Sequence, residues 1–329
     1  MLAFQNKSKA MPAEKMAKRS KETKLKKVSP KHMTPIPKPS SGQLAKGAIF
    51  IVLAFLANTV QSVLGKQIGT QLSVELFTWA TFLSALIFVT PIMVIRKFQD
   101  LHTSVAPYHL LRGATGIAGF FLFITSAQLT SLVDANVLLN TTPIFIPILA
   151  LLVLKQNIQK SLWLAIGLGF AGMVIIVKPD SSLFTNPGNI IALAAGLMTA
   201  IEFLTVKKLD NSESAITQIF YFLLFGSVCS TILSIGKFKA IAGHDLHMVI
   251  ATGACLVLFQ FLLIKAYQYA KPHEIGAFQY SSIIFAALFG IFIFNEPIGM
   301  ETYVGSAFIC IGGAMSIGAR KDDPGEITS

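Results

Sequence analysis

Two ionisable residues, Glu202 and Lys265, lie inside long apolar segments and are the first candidates for chemistry in this sequence. Glu202 lies in LMTAIEFLTVKK and Lys265 in FLLIKAYQYA, each a few residues before its segment ends. Ionisable groups in such segments are costly and commonly functional. At similar depth, a carboxylate and an ammonium can pair with each other or bind the opposite charges of a zwitterionic ligand. For Lys265, a side chain that extends along the apolar surface to water is an equal alternative.

A helix break is the second candidate feature. In the stretch LLNTTPIFIPILALLVLKQ, Pro143 and Pro147 lie one helical turn apart, just after Asn140 and Thr141. Each proline removes one backbone hydrogen bond from a helix. In an apolar medium the freed carbonyl groups must be covered by protein or by a water-filled cavity. The sequence therefore predicts a break at Pro143 and Pro147, flanked by the substrate-binding candidates Asn140 and Thr141.

A later segment has polar residues at the corresponding depth. In FQYSSIIFAALFG, the substrate-binding candidates Gln279 and Tyr280 precede Ser281 and Ser282. We expect the two stretches to face each other across a central cavity, where substrate or water satisfies the exposed backbone. The alternative is a proline kink packed on neighbouring helices, with threonine hydroxyls bonding carbonyls of their own helix.

Other polar side chains within the apolar segments could converge on the same ligand. One such residue often joins two helices by a hydrogen bond, whereas several together would form a binding site. Trp79 would supply an aromatic wall. The remaining substrate-binding candidates are Asn58, Gln61, Tyr221 and Gln260.

Neither a catalytic nor a metal-binding motif accompanies these residues. The sequence has no HExxH motif and no Ser, His and Asp set at reactive spacing. Cys229, Cys255 and Cys310 fall in apolar segments without paired spacing or neighbouring histidines. We therefore expect no enzyme, no cofactor and no metal.

The composition indicates a membrane protein with a basic tail. Hydrophobic residues make up 53% of the chain and charged residues 13%, far from the values of a soluble domain. Residues 1–46 contain 12 Lys and Arg against 2 acids, whereas residues 47–319 contain 13 against 11. The basicity thus belongs to a tail that we expect to be disordered, and not to a folded surface that reads nucleic acid.

Apolar runs of membrane-spanning length recur along the body of the chain. About 20 apolar residues cross the hydrocarbon core of a bilayer as a helix. The fold class predicted is an all-α membrane protein with ten transmembrane helices. The ten predicted spans cover about residues 47–65, 73–95, 107–127, 134–154, 162–178, 188–206, 216–236, 248–267, 274–294 and 300–318.

The distribution of Lys and Arg predicts the orientation of these spans. With the amino terminus inside, the cytoplasmic segments carry 21 Lys and Arg and the external segments carry 4. Without the tail the asymmetry is still 9 against 4. By the positive-inside rule both termini are cytoplasmic. We expect a multi-pass integral protein of the bacterial inner (plasma) membrane.

The two halves of the chain repeat. A shift of about 140 residues along the sequence, the length of one repeat unit, places Gly172 on Gly312. Nearly the same shift places Gly47 on Gly188 and Lys66 on Lys207. The predicted domains are a tail of residues 1–46, a first five-helix unit of residues 47–178, a second unit of residues 188–319 and a tail of residues 320–329. Because five is odd, the second unit must enter the membrane the other way up, which is a common plan of secondary transporters.

The pattern resembles the EamA-type transporters of the drug/metabolite transporter superfamily. The resemblance covers about residues 47–319 and is carried best by LLIKAYQYAKPHEIGAFQYSSIIFAALFGIFIFNEPIGMETYVGSAFICIGGAMSIG. In the first unit, Arg112-Gly113 and Pro143 also look like the family. Two positions depart from it: Gln156 stands where a glutamate is usual, and the arginine common early in the second span is missing.

The resemblance implies a ten-span secondary carrier of small organic metabolites. Members of the family import S-adenosylmethionine in obligate intracellular bacteria, and many others export amino acids. We therefore expect alternating-access transport of an amino acid or a related metabolite such as S-adenosylmethionine, with a proton or a counter-substrate as a second partner. The alternative is a membrane-embedded receptor or lipid-handling protein without carrier activity.

Overall fold

The computed structural model describes residues 41–68, 72–97, 101, 103–129, 132–153, 155–178, 186–210, 212–241, 243–294 and 299–318. Most of the predicted basic tail and the whole of the carboxyl-terminal tail lie outside the described residues. In the described residues the chain is helical, without strands. The helices are α1 (Ser41–Ile68), α2 (Val74–Ile95), α3 (Ala106–Leu129), α4 (Leu132–Leu139), α5 (Thr142–Leu152), α6 (Lys160–Val177), α7 (Pro187–Leu209), α8 (Ala215–Leu233), α9 (Gly243–Tyr269), a 3-10 segment (Gly276–Tyr280), α10 (Ser281–Phe294) and α11 (Met300–Gly318).

Eight helical stretches in the described part of the chain are long and apolar enough to cross a membrane, and Val137–Leu152 is a shorter apolar stretch. An apolar medium favours helices because every backbone group finds its partner within the same segment. Large apolar side chains also face outward, among them Ile87, Ile190 and Phe292, which are 62%, 72% and 79% exposed. So much outward apolar surface is typical of a protein surrounded by lipid.

Polar caps fix where three of the helices begin. The Ser73 hydroxyl accepts a hydrogen bond from the amide of Leu76 at the start of α2. The Ser214 hydroxyl accepts one from the amide of Thr217 at the start of α8. The Asn186 side chain accepts one from the amide of Gly188 at the start of α7. Each cap satisfies an amide that has no partner within its helix.

The helices pair closely where glycine or alanine lines the contact. α1 packs along α9, α3 along α7, and α6 along α11, while α2 packs on both α8 and α9. A Cβ atom added at Gly172 in α6 would lie within 3.0 Å of the carbonyl oxygen of Gly305 in α11. A Cβ added at Gly47 in α1 would lie 2.9 Å from the Cβ of Ala270, just after α9. Small residues thus bring the helix backbones together, as is usual in membranes.

Candidate functional site

A fully buried arginine lies where α3 meets α8 and α9. Arg112 has no exposed surface. Its Nη1 donates to the backbone carbonyl of Gln218 at 2.9 Å, and its Nη2 donates to Oε1 of Gln260 at 2.6 Å. The guanidinium carbon lies 4.9 Å from the ring centroid of Phe222, a cation–π contact. Two neighbouring helices therefore hold the guanidinium in one position.

The countercharge comes from α7. The carboxylate of Glu202 is close enough to Arg112 for direct electrostatic attraction and also interacts with the side chain of Gln260. Glu202 is only 6% exposed, and its Oε1 has no hydrogen-bond partner. Because Gln260 accepts from Arg112 through its oxygen, its amide nitrogen is available to the carboxylate. Gln260 thus lies between the two charges.

Small residues on α3 make room for this arrangement. A Cβ atom at Gly116 would lie 3.1 Å from the carboxyl carbon of Glu202 and 2.8 Å from the ring of Phe222. A Cβ at Gly113 would lie 2.7 Å from the ring of Phe225. Any larger residue at these positions would displace the carboxylate of Glu202 or the rings of Phe222 and Phe225.

Further polar atoms in this region lack partners. The side-chain nitrogen and oxygen of Gln218 have none, and neither do Nε of Arg112 and the hydroxyl of Tyr267, a residue that Glu202 influences electrostatically. Buried polar groups are normally hydrogen-bonded, and exceptions are often functional. We name Arg112, Glu202, Gln218, Gln260 and Tyr267 the charged centre. Its unused donors and acceptors could serve a ligand with charges of both signs.

The helix is interrupted between α4 and α5, at Asn140 and Thr141, which precede the predicted break positions Pro143 and Pro147. Pro143 occupies the first turn of α5, and Pro147 lies inside α5. The Thr141 hydroxyl donates to the carbonyl of Leu138 at 2.5 Å. The following threonine donates to the carbonyls of Leu139 at 2.7 Å and of Gly196 in α7 at 3.1 Å.

At these carbonyls, protein hydroxyl groups take the place that we expected substrate or water to fill. These hydroxyl contacts agree with the alternative interpretation of a kink packed on neighbouring helices. The 3-10 segment does face it: a Cβ atom at Gly276 would lie 3.7 Å from both the Cβ and the carbonyl oxygen of Pro143.

The structure brings one of the nine predicted substrate-binding residues into direct hydrogen-bond contact with Arg112, namely Gln260. The Tyr221 hydroxyl donates to the carbonyl of Leu101 at 2.5 Å. Trp79 packs edge-on against Phe238 at 5.1 Å between ring centroids. These two aromatic residues therefore have structural partners outside the charged centre.

The other predicted substrate-binding residues lie on α1 or near the two interrupted spans. The side-chain oxygen of Gln61, the amide nitrogen of Gln279 and the hydroxyl of Tyr280 are buried without hydrogen-bond partners. The Tyr280 ring lies 6.5 Å from that of Phe170. Asn58 lies on the same helix as Gln61, and its carbonyl accepts a hydrogen bond from the Ser62 hydroxyl at 3.0 Å.

Lys265 does not pair with Glu202. Its ammonium donates to Oε1 of Gln268 at 3.0 Å on the same helix and lies 5.8 Å from the ring of Phe261. The cation near Glu202 is Arg112, which the sequence analysis noted only for its resemblance to the family. A single arginine in an apolar span was the signal that could have identified it.

The described residues contain no group of three or more His, Cys, Asp and Glu side chains that could hold a metal ion. Many apolar helices of membrane-spanning length around a buried charged centre define a polytopic membrane protein.

The chain belongs to the EamA-like transporter family, whose model matches residues 45–178 and again residues 186–318. It is 27% identical over 264 residues to an S-adenosylmethionine uptake transporter of Rickettsia bellii, covering 80% of this chain and 90% of that protein. It is 25% identical over 271 residues to a riboflavin transporter of Vibrio cholerae, covering 81% and 91%. A solved crystal structure shares the fold with a TM-score of 0.72 at 14% identity, covering 86% of this chain and 99% of that one. These findings establish an integral, multi-pass transporter of small metabolites.

Proposed function

We propose that the protein moves a small zwitterionic metabolite across the membrane by alternating access between two inverted five-span units. The observation that carries this proposal is the charged centre. It joins Arg112 on α3, in the first unit, to Glu202 on α7 and Gln260 on α9, in the second. A ligand held there contacts both units, so movement of one unit against the other would change the ligand's access.

The proposed ten spans follow from combining the interrupted helices. α4 and α5, which are separated by Asn140 and Thr141, would together form the fourth span, and the 3-10 segment with α10 would form the ninth. Broken helices at membrane depth are common in transporters where protein covers the break. The remaining helices supply one span each.

Reciprocal contacts support the repeat. In a pair of units related by a two-fold axis, a contact between two residues recurs between their equivalents with the units exchanged. A Cβ atom built on Gly47 would lie 2.9 Å from the Cβ of Ala270, and one built on Gly188 would lie 2.9 Å from the Cβ of Leu129. The shift along the sequence that takes Gly47 to Gly188 also takes Leu129 to Ala270.

The glycine contacts between α6 and α11 are reciprocal as well. Cβ atoms built on Gly172 and Gly312 would lie within 3.0 Å of the carbonyl oxygens of Gly305 and Ala165, respectively. The shift that takes Gly172 to Gly312 also takes Ala165 to Gly305.

Contacts at the helix ends support alternating direction through the bilayer. At one end, Lys237 pairs with Glu75 at 2.6 Å and Lys178 with Glu301 at 3.0 Å. At the same end, the Asn186 side chain donates a hydrogen bond to the carbonyl of Leu129. We place this end outside the cell.

At the other end, Lys207 donates to the carbonyl of Tyr267, and the Ser316 hydroxyl donates to the carbonyl of Glu274. Lys178, in the connection before α7, thus belongs to the first end, and Lys207, in the last turn of α7, belongs to the other end. By the positive-inside rule the end with Lys207 is cytoplasmic, together with both chain termini and the basic tail. We assign the carrier to the bacterial inner membrane.

The chemistry of the charged centre favours an amino-acid head group. Arg112 suits a carboxylate, since its guanidinium presents several donors in a plane, and Glu202 suits an ammonium. The relatives include proteins named for S-adenosylmethionine uptake, a compound that carries an amino-acid group. We therefore propose uptake of S-adenosylmethionine, coupled to a proton or to a counter-substrate.

The test is uptake of radiolabelled S-adenosylmethionine into proteoliposomes, with unlabelled amino acids and riboflavin as competitors. Glu202→Gln should abolish or uncouple uptake, because the ammonium group of the substrate loses its countercharge. Lys265→Gln is the matched control and should transport normally, since its ammonium contacts Gln268 and not the centre. Competition by methionine but not by riboflavin would support recognition of the head group. Unchanged uptake and unchanged pH dependence in Glu202→Gln would refute the role of that residue.

A further inference from the structure

An open groove lies on the outer surface of the helix bundle, between α2, α8 and α9. Its volume is about 340 Å³, and its lining side chains are apolar. Val89 and Ile219 form its floor and are each 1% exposed, whereas Leu258 at its edge is 49% exposed. The groove therefore opens outward and offers an apolar surface to whatever surrounds the bundle.

The groove lies in the half of the bundle that we assign to the cytoplasmic leaflet. On α2 it reaches Ile92, one turn before that helix ends, and on α8 it includes Ile216, in the first turn. Along α9 it extends from Ala254 to Phe261, which is about 10 Å at the rise of an α-helix. One leaflet contributes roughly 15 Å of hydrocarbon. The groove therefore fits the part of an acyl chain that is nearest to its head group.

Cationic side chains lie at the cytoplasmic rim of the groove. The ammonium of Lys265 lies 5.8 Å from the ring centroid of Phe261, which lines the groove, and donates to the neutral side chain of Gln268. The amide of Arg96 closes the last turn of α2 on the carbonyl of Ile92 at 3.0 Å. The exposed side chain of Arg96 thus begins one turn beyond a groove residue. Positive charge from two helices therefore borders the groove.

The acidic side chains at the cytoplasmic end of the described chain have other partners. These partners are Lys207 for Asp210, the Thr103 hydroxyl for Glu213 and the backbone amide of Lys271 for Glu274. Within the part of the chain that the structure describes, the charge of Lys265 is therefore not neutralised by a carboxylate. An anion from outside the chain can take that place.

We propose that the groove binds an anionic phospholipid of the cytoplasmic leaflet. One acyl chain lies along Val257 and Leu258, and the phosphate lies at Lys265 and Arg96. An apolar groove alone accepts any lipid, whereas cations between helices on the cytoplasmic side select an anionic head group. The inference rests on the proposed orientation of the helices and is independent of the substrate.

The lipid site is separate from the charged centre, although α9 contributes to both. Gln260 binds Arg112 through its side chain, and the next residue, Phe261, lines the groove. Neighbouring residues on a helix point about 100° apart, so α9 presents the centre and the groove on different sides. Lys265 borders the groove alone, and the normal transport expected of Lys265→Gln is therefore compatible with a loss of lipid.

Lipid binding can be measured by native mass spectrometry of the purified protein in detergent. Phosphatidylglycerol and phosphatidylcholine with the same acyl chains are added together, and the parent should retain one phosphatidylglycerol in preference. Lys265→Gln and Arg96→Gln should each weaken its binding about fivefold, the contribution of one cation near an anionic surface. Lys208→Gln is the matched control and should bind as the parent. Its lysine is exposed at the same end and lies 5.8 Å from the ring of Tyr108, outside the groove.

Two further measurements test the groove and the acyl chain. Ala254 is exposed within the groove, so Ala254→Phe fills the space without disturbing the helix contacts and should displace the lipid. Inorganic phosphate at the concentration of the lipid should not compete, because it has no acyl chain to place in the groove.

Equal retention of the two lipids by the parent would overturn the proposal. Unchanged binding in Lys265→Gln, Arg96→Gln or Ala254→Phe would do the same, as would an equal loss in Lys208→Gln. Displacement by inorganic phosphate would reduce the site to an anion site at the rim. A dimer that Ala254→Phe dissociates would assign the groove to a second copy of the chain, and either result would contradict the proposal. Selective lipid binding without any uptake would instead refute the proposed function and leave the lipid site standing.

Discussion

Loss of the arginine from the charged centre should destabilise the protein strongly, and loss of the glutamate as well should partly restore it. In Arg112→Gln, the carboxylate of Glu202 stays buried without its cation. Leaving a buried charge uncompensated costs about 3–5 kcal/mol, and Arg112 is the cation that attracts this carboxylate. We therefore expect the free energy of unfolding to fall by about that amount.

The second variant makes the test specific. In the parent protein, Glu202→Gln leaves Arg112 with its bonds to Gln218 and Gln260 and its contact with Phe222. We expect a smaller loss of about 1–3 kcal/mol, since these charge-assisted contacts remain. In the Arg112→Gln background, the same change removes an uncompensated buried carboxylate and should raise stability. Glu202→Gln is thus expected to lower the free energy of unfolding in the parent protein and to raise it in the Arg112→Gln background.

The assay is unfolding of the purified protein in dodecyl maltoside by added SDS, followed by circular dichroism. The comparison is a double-mutant cycle of four proteins: the parent, the two single variants and the double variant. Independent sites add to within about 0.5 kcal/mol. Additive losses in this cycle would refute the coupling of Arg112 to Glu202 and remove the physical basis of the charged centre.

Unfolding by added SDS also tests the packing contacts. Gly172→Ala should lower the free energy of unfolding by about 1–3 kcal/mol, because the added Cβ meets a backbone carbonyl of α11. Gly167→Ala is the control and should leave it unchanged, since an added Cβ has no atom within 4 Å. Equal losses in the two variants would contradict the close α6–α11 contact. Thr142→Val should cost about 1–3 kcal/mol because it leaves the carbonyls of the break unpaired. Thr205→Val, which loses a bond to a carbonyl of its own helix, should cost less; the reverse order would show that Thr142 does not hold the break. Lys237→Ala should change the free energy of unfolding by less than about 1 kcal/mol at physiological salt, since its ion pair is exposed, and a larger effect would contradict this assignment.

The helices and many of their ends follow from local features of the sequence alone. Hydropathy predicted a span at residues 300–318, and α11 runs from Met300 to Gly318. The length of hydrocarbon to be crossed and the backbone's need for internal partners act on each segment locally. Residues such as Ser73 and Ser214 begin an apolar run with a capping hydroxyl, which is also visible in the sequence. The membership in a transporter family followed from motifs of the same local kind.

Which polar residues contact each other depends on how the helices pack. Glu202 and Lys265 are both ionisable and lie at similar depth, yet Lys265 turns to Gln268, and Arg112 takes its place. The partners of Arg112 lie 106 and 148 residues further along the chain. Hydropathy gives the depth of a residue, but its partner depends on the rotation of its helix and on which helix packs beside it. Those two properties come from the packing of small residues such as Gly116 across helix contacts, and so the charged centre emerged only in three dimensions.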